Sequence, residues 1–305
     1  MDEVRVASPA SVSNVVCGFD CLGFALTEPF DEVTIRKINE RTVRIRHLDN
    51  FGLPTDPERN VAGVALLALA RSAGIDFGFE VEITKGIKPG SGIGSSASSS
   101  SGAVVAANRI LNDRFSKQEL VEFAMQGERL ASGAPHADNV APCIYGGFTL
   151  VRSIEPLDIV SLEFATLYAT VIHPQIEIRT SDARDLLPKQ IPLSDAIRQW
   201  SNLGAFVAAL ARGDHELLSR SMEDLIVEPA RKSLIPKFDE IKAASLAAGA
   251  IGGGISGSGP SIFMLSASLE DASKIVTQMR SIFEKTGIEF KIYSSDIGRS
   301  GVRVL

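Results

Sequence analysis

"KPGSGIGSSASSSSGAVVAANRIL", Lys88 to Leu111, is the stretch on which the fold turns. Its first half is glycine and serine, and its second half is rich in alanine. A flexible linker shares the first composition, but a linker does not run from an alternating strand straight into "GAVVAANRIL". Ala103, Val104, Ala107 and Leu111 recur at helical spacing, which predicts a helix beginning near Ser96. A helix start leaves backbone N–H groups unpaired and presents the positive end of the helix dipole. Gly90, Gly92 and Gly94 remove the side chains that would hold an anion off that backbone, and the serine hydroxyls add donors. A helix start without a ligand is the plainer alternative; the glycines favour a phosphate cradle. The spacing is neither GxxxxGK[ST] nor GxGxxG, so this is not a Walker loop or a dinucleotide turn.

Outward from the cradle, "FEVEITKGI" (79–87) is an alternating strand that leads into it. "VRVAS" (4–8) reads as a short strand broken by Pro9. "DEVTIRKI" (31–38) and "RTVRIRHL" (41–48) read as antiparallel strands of a half-buried sheet. A helix runs from 61 and is stopped by Gly74; another spans Lys117 to Leu130. "GGFTLVRS" (146–153) and "LYATVIHP" (167–174) are strands. Helices are then expected at 194–211, 214–226, 233–249 and 269–286, with a second glycine-rich turn near 252–259 and strands after it and at the C-terminus. Strands come in hairpin-like runs, so the class is α+β. The change from strand-rich to helix-rich places a domain boundary near residue 155, dividing the chain into 1–155 and 156–305.

The 305 residues are 45% hydrophobic and 22% charged, a globular composition. No run of about 18 apolar residues suggests a membrane span, and residues 1–20 lack a signal-peptide pattern. A cytoplasmic protein without membrane contact is expected. The net charge of −6 argues against nucleic acid as the main partner, but not against a small anion at a local site. Cys17, Cys21 and Cys143 match no zinc spacing and read as reduced structural thiols.

"PGSGIGSSAS" resembles the second motif of the GHMP kinases. Further matches follow in family order. "SPASVSNVVCGFD" resembles the first motif of the homoserine branch, and "GISGSGPSIF" (254–263) the third motif of the superfamily. "HADNVAPCIYGG" (136–147), "TSDARDLLP" (180–188) and "EPARKSLIP" (228–236) resemble segments characteristic of that branch. The resemblance covers nearly the whole chain. It departs at Val16, where a glycine is usual, and at Ile93, where leucine is usual.

What the resemblance implies is a two-domain GHMP-type fold: an N-terminal mixed α/β domain and a ferredoxin-like C-terminal domain. It also implies ATP and Mg²⁺ as cofactors, homoserine as the phosphoryl acceptor, and an enzyme that is often a homodimer. Carried over residue by residue, it assigns the triphosphate to Pro89, Gly90, Ser91, Gly92, Ile93, Gly94, Ser95 and Ser96, and adenine to the neighbourhood of Asn60 and Val61. Ser96 and Glu128 match metal ligands. Arg184 and Arg231 match the binders of the substrate carboxylate, for which a planar two-donor fork is suited. Asn14, Asp20, His136 and Asn139 resemble the amino-acid pocket. Asp20 either holds the ammonium or accepts a proton, and Thr180 is a further candidate beside the hydroxyl. Two rival readings are a GHMP kinase for another small alcohol, such as mevalonate, and a GHMP-fold binding protein without catalysis. Glu128, Gly92 and Gly94 argue against the second.

Overall fold

Two long strands build the N-terminal half, the first buried along most of its length and the second alternating in burial over its latter part. In this computed structural model, which describes residues 1–178 and 180–305 except the side chains of Thr180 and Ser181, the chain begins with β1 (Glu3–Ser13) and β2 (Leu22–Ile38). There follow β3 (Val43–His47), α1 (Val61–Ala73), β4 (Gly78–Thr84), α2 (Ser95–Ile110), α3 (Lys117–Ser132), α4 (Val140–Tyr145), β5 (Phe148–Ile154) and β6 (Leu157–Leu162). The C-terminal half holds β7 (Tyr168–Pro174), α5 (Thr180–Asp185), α6 (Leu193–Arg212), α7 (His215–Ser221), α8 (Val227–Arg231) and α9 (Phe238–Ala247). It closes with β8 (Gly252–Ile255), β9 (Ile262–Ser266), α10 (Leu269–Phe283), β10 (Phe290–Asp296) and β11 (Arg303–Val304).

Among the described residues the strands form two sheets. One runs β11-β1-β2-β4-β3, with β5 and β6 added at the first half of β2; the other is β10-β7-β9-β8 and antiparallel. In the second sheet the βαββαβ connection and strand order are ferredoxin-like, as the resemblance implied.

The structure corrects two sequence expectations and refines a third. Pro9 does not break β1: it sits where the β1–β2 register shifts, between Pro9 and Ser11, and proline is tolerated at a bulge. Segments 31–38 and 41–48 run antiparallel in one sheet, as expected, without pairing directly. β4 lies between them, antiparallel to β2 and parallel to β3. The β3–α1–β4 unit is a crossover, and the four residues 39–42 are enough to step across two strand spacings of about 4.8 Å each. The helix expected over 233–249 begins only at Phe238, because Pro236 ends what precedes it.

β5 and β6 pair across the turn at 155–156, and β11 returns to β1. On sheet membership we therefore place the boundary in the connection 163–167, with the last strand crossing back.

The serine run of α2 explains how close the helix lies to the sheet. Ser98 and Ser8 exchange hydrogen bonds, each hydroxyl donating to the other's carbonyl (2.8 and 2.6 Å). A Cβ on Gly102 would come within 2.9 Å of Val33 and 3.0 Å of Ser8. Small residues with their own internal hydrogen bonds thus let α2 sit on β1 and β2. On the other side, Phe24, Phe148, Phe206 and Phe263 form one core shared by both halves. The N-terminus of α2 opens at the seam between them.

Candidate active site

A cleft of about 680 Å³ lies along this seam. At one end is the N-terminus of α2. Its cap is Gly94, at φ 69°, and no side chain caps the first turn. Those N–H groups are free to meet an anion. The loop before it is clamped from the other half. Ser256 Oγ donates to Gly92 O (2.7 Å) and Ser261 Oγ to Ser91 O (2.6 Å). Gly92 has φ 78°, and a Cβ there would lie 2.5 Å from Gly259 O, so the two glycine-rich turns touch backbone to backbone. Beneath the helix start, the buried Lys85 ammonium pairs with Asp31 and donates to Ser95 O (2.7 Å) and Ser99 Oγ (2.8 Å).

At the other end lies a set of charges. Arg184 Nη2 donates to both Asp20 oxygens (3.0 and 3.1 Å) and to His136 Nε2 (3.1 Å). Arginine cannot accept, so His136 Nε2 must carry the lone pair; the proton of a neutral ring is then on Nδ1, 3.7 Å from Asp20 Oδ1. Burial lowers the His136 pKa; the Asp20 charge opposes this and the Arg184 charge adds to it. Arg231 is 2% exposed and donates from Nε to Ala183 O (2.9 Å) and from Nη1 to Gly257 O (3.4 Å). Burial, then the Arg184 charge, lowers its pKa.

Two buried carboxyls also line the cleft. Glu128, on α3, has its pKa raised by burial, with a hydrogen bond from Ser96 opposing. Its buried Oε1 has no hydrogen-bond partner among the described residues. A buried carboxylate oxygen left open beside a serine hydroxyl and an anion seat fits a hard cation. No group of three His, Cys, Asp or Glu side chains gathers among the described residues. Asp138 is 3% exposed, and burial first, then the charges of Asp20 and Glu128, pushes its pKa up to about 7.

The cleft lining brings together Asn14, Asp20, Val61, Pro89, Gly90, Ser91, Gly92, Gly94, Ser95, Ser96, Glu128, His136, Asn139, Arg184 and Arg231. Ile93 is fully buried in the shared core and does not face it. Asn60 caps α1, accepting from Ala62 N and Gly63 N while its amide donates to Pro54 O. Both ends of the Asn14 amide are engaged, from Asp20 N (3.0 Å) and to Gly257 O (2.7 Å), so it shapes the loop. Asn139 bonds Ser11 and Ser13. The Thr180 side chain lies outside the described residues. Missed by sequence reasoning were Asp138, Phe19 and Lys85, all in the lining. Lys85 had a signal, a charge at the apolar phase of the strand before the loop; the other two lay unremarked inside quoted motifs. All three cysteines are free, and burial holds the Cys17 thiol up to about 12.

Family models match both halves: the GHMP kinases N terminal domain over residues 60–147 and the GHMP kinases C terminal domain over 206–285. The homoserine kinase of Chloroherpeton thalassium is 46% identical over 319 aligned residues, covering 100% of both chains. That of Chlorobium phaeobacteroides is 42% identical over 320, again 100% of both. The crystal structure of homoserine kinase from Cytophaga hutchinsonii superposes with a TM-score of 0.96 at 50% identity, covering 100% of this chain and 98% of that one.

Proposed function

The chain belongs to the GHMP kinases and, within them, to the homoserine kinases; from that premise we propose how its residues divide the work. It is a kinase that phosphorylates homoserine on its side-chain hydroxyl, using ATP, in threonine biosynthesis.

The observation that supports the residue assignment is the charge layout of the cleft. One end offers backbone N–H groups and an open carboxylate oxygen. The other offers a carboxylate and a guanidinium in contact, Asp20 and Arg184. An α-amino acid carries its ammonium and carboxylate on one carbon, so adjacent opposite charges in the site match adjacent opposite charges in the substrate. Mevalonate lacks the ammonium and would meet Asp20 as a like charge.

We assign the phosphates to the Gly90–Ser96 backbone and the α2 N-terminus, and the adenine to the apolar wall at Leu53 and Val61. Glu128 and Ser96 hold Mg²⁺. Mg²⁺, when bound, offsets charge on the phosphate oxygens in a transition state with little other help. Arg184 and Arg231 take the substrate carboxylate and Asp20 the ammonium, with neutral His136 orienting the Asp20–Arg184 pair. Asp138, whose pKa near 7 suits proton exchange at neutral pH, receives the hydroxyl proton.

Glu128→Gln tests the metal end. Turnover is expected to fall by about 10²-fold or more, since the carboxylate charge is lost and the shape kept. The circular dichroism spectrum should be unchanged. Near wild-type turnover at low Mg²⁺ would sink the metal assignment.

A further inference from the structure

Phe19 has no place in the scheme above, yet two guanidiniums lie over its ring. Arg231 Cζ is 5.2 Å from the ring centroid and Arg184 Cζ 5.6 Å. Both distances are within cation–π range. Two like charges meant for one carboxylate repel each other until it arrives, and burial of Arg231 strengthens that repulsion. A negative ring face that attracts both is the uncharged way to keep them together. A second acid in its place would compete with the substrate.

The loop is built to present that ring. Cys21 N and Leu22 N both donate to Gly18 O (3.0 and 2.8 Å), closing a tight turn around Phe19 and Asp20. Asn14, Val15 and Val16 run left-handed before it, at φ 72°, 40° and 60°, conformations that cost β-branched residues strain. The turn sets two groups side by side: a carboxylate that pairs with Arg184, and a ring that faces both arginines.

We propose that Phe19 is a positioning residue for substrate recognition: its ring holds the Arg184 and Arg231 guanidiniums at one spacing and thereby sets the enzyme's preference for an alcohol that carries a carboxylate. The proposal rests on the reading of these arginines as carboxylate binders. Phe19 touches the cations and acts through them.

The test compares homoserine with 3-aminopropan-1-ol, the same amino alcohol without the carboxylate. In Phe19→Leu the KM for homoserine rises about 10- to 100-fold, as expected for losing one buried cation–π contact, to Arg231, and one part-exposed contact, to Arg184. The KM for ATP and the kcat/KM for 3-aminopropan-1-ol stay within about threefold, since neither uses the arginine pair. Pentafluorophenylalanine placed at position 19 keeps the shape and reverses the ring's charge distribution. It should reproduce the leucine effect without any packing defect, while Phe19→Tyr should restore wild-type KM. Equal losses on both alcohols, or a fluorinated protein with wild-type KM, would overturn the proposal. Arg184→Leu and Arg231→Leu are measured in parallel. If these lose homoserine selectively and Phe19→Leu does not, only the role of Phe19 falls. If they too treat the two alcohols alike, the carboxylate assignment fails and the proposal falls with it.

Discussion

Asp138 is a carboxyl buried beside two other acids, and its environment makes it titrate near 7 in place of the ordinary 3.8. Folding therefore favours the protonated form. Between about pH 4 and pH 7 the unfolded chain holds fewer protons than the folded one at this site, so stability falls as pH rises. Above 7 the full penalty applies. Asp138→Asn removes it, and at pH 8 the variant should be more stable than wild type, by up to about 4 kcal/mol for a shift of roughly three units. At pH 4 the advantage should vanish. Activity should fall by about 10²–10⁴-fold if the residue receives the hydroxyl proton. Thermal melts at both pH values and kcat at pH 8 check this. Parallel melting slopes would remove the pKa argument, and retained kcat would send the proton to phosphate directly. The residue sits openly in "HADNV", between two residues that the motif singled out. It was passed over because an aspartate's pKa is set by neighbours, here Asp20 and Glu128, that the sequence does not place beside it.

At the scale of elements, the loop at 90–96, to which we assign the phosphates, owes its shape to a turn some 165 residues away in sequence. Ser256 and Ser261, both fully buried, donate to the carbonyls of Gly92 and Ser91. Removing both hydroxyls in Ser256→Ala/Ser261→Ala leaves one buried and one part-buried carbonyl short of a donor, at up to about 1–3 kcal/mol each. The ATP site should loosen. Titration with a non-hydrolysable ATP analogue should show a Kd raised roughly tenfold, for about 1.4 kcal/mol, with homoserine KM nearly unchanged. An unaltered Kd would mean that the loop keeps its form without the clamp. Gly94 belongs to the same scale. A Cβ there would strike Ser11 Oγ at 2.0 Å, so the glycine is required for packing as well as for its φ of 69°. The glycine-rich turn at 252–259 packs against the loop before α2. Which of its atoms do so was invisible, since hydrogen bonds between distant loops leave no spacing pattern.

Across the whole molecule the two halves share a core. Phe24, on β2, is fully buried, 4.9 Å from Phe148 and 5.6 Å from Phe263 of the second sheet, ring centre to ring centre. Phe24→Ala should cost about 3–5 kcal/mol. Because the cavity opens in a core contributed by both sheets, the variant should still melt in one cooperative transition at a lower temperature. Two resolved transitions in calorimetry would show that the halves are held together by something else. The cleft lies at this seam, so loss of the joint core should also raise the KM for both substrates.

The sequence by itself determined the class of fold, the glycine-rich loop that opens α2, the elements that flank it and the family's motifs in their order. These depend on local rules: alternation, helical spacing, glycine where backbone must be bare, and proline where helices stop. It left undecided which strands pair, as β4 between β2 and β3 shows, because pairing is settled by where a crossover helix finds a face to cover. It could not divide the labour among Asp20, Asp138 and Glu128. Three carboxylates read alike in one dimension. Only the tertiary structure sets one against Arg184, leaves an oxygen of another open beside Ser96, and buries the third near both, and charge and burial are what make their chemistry differ.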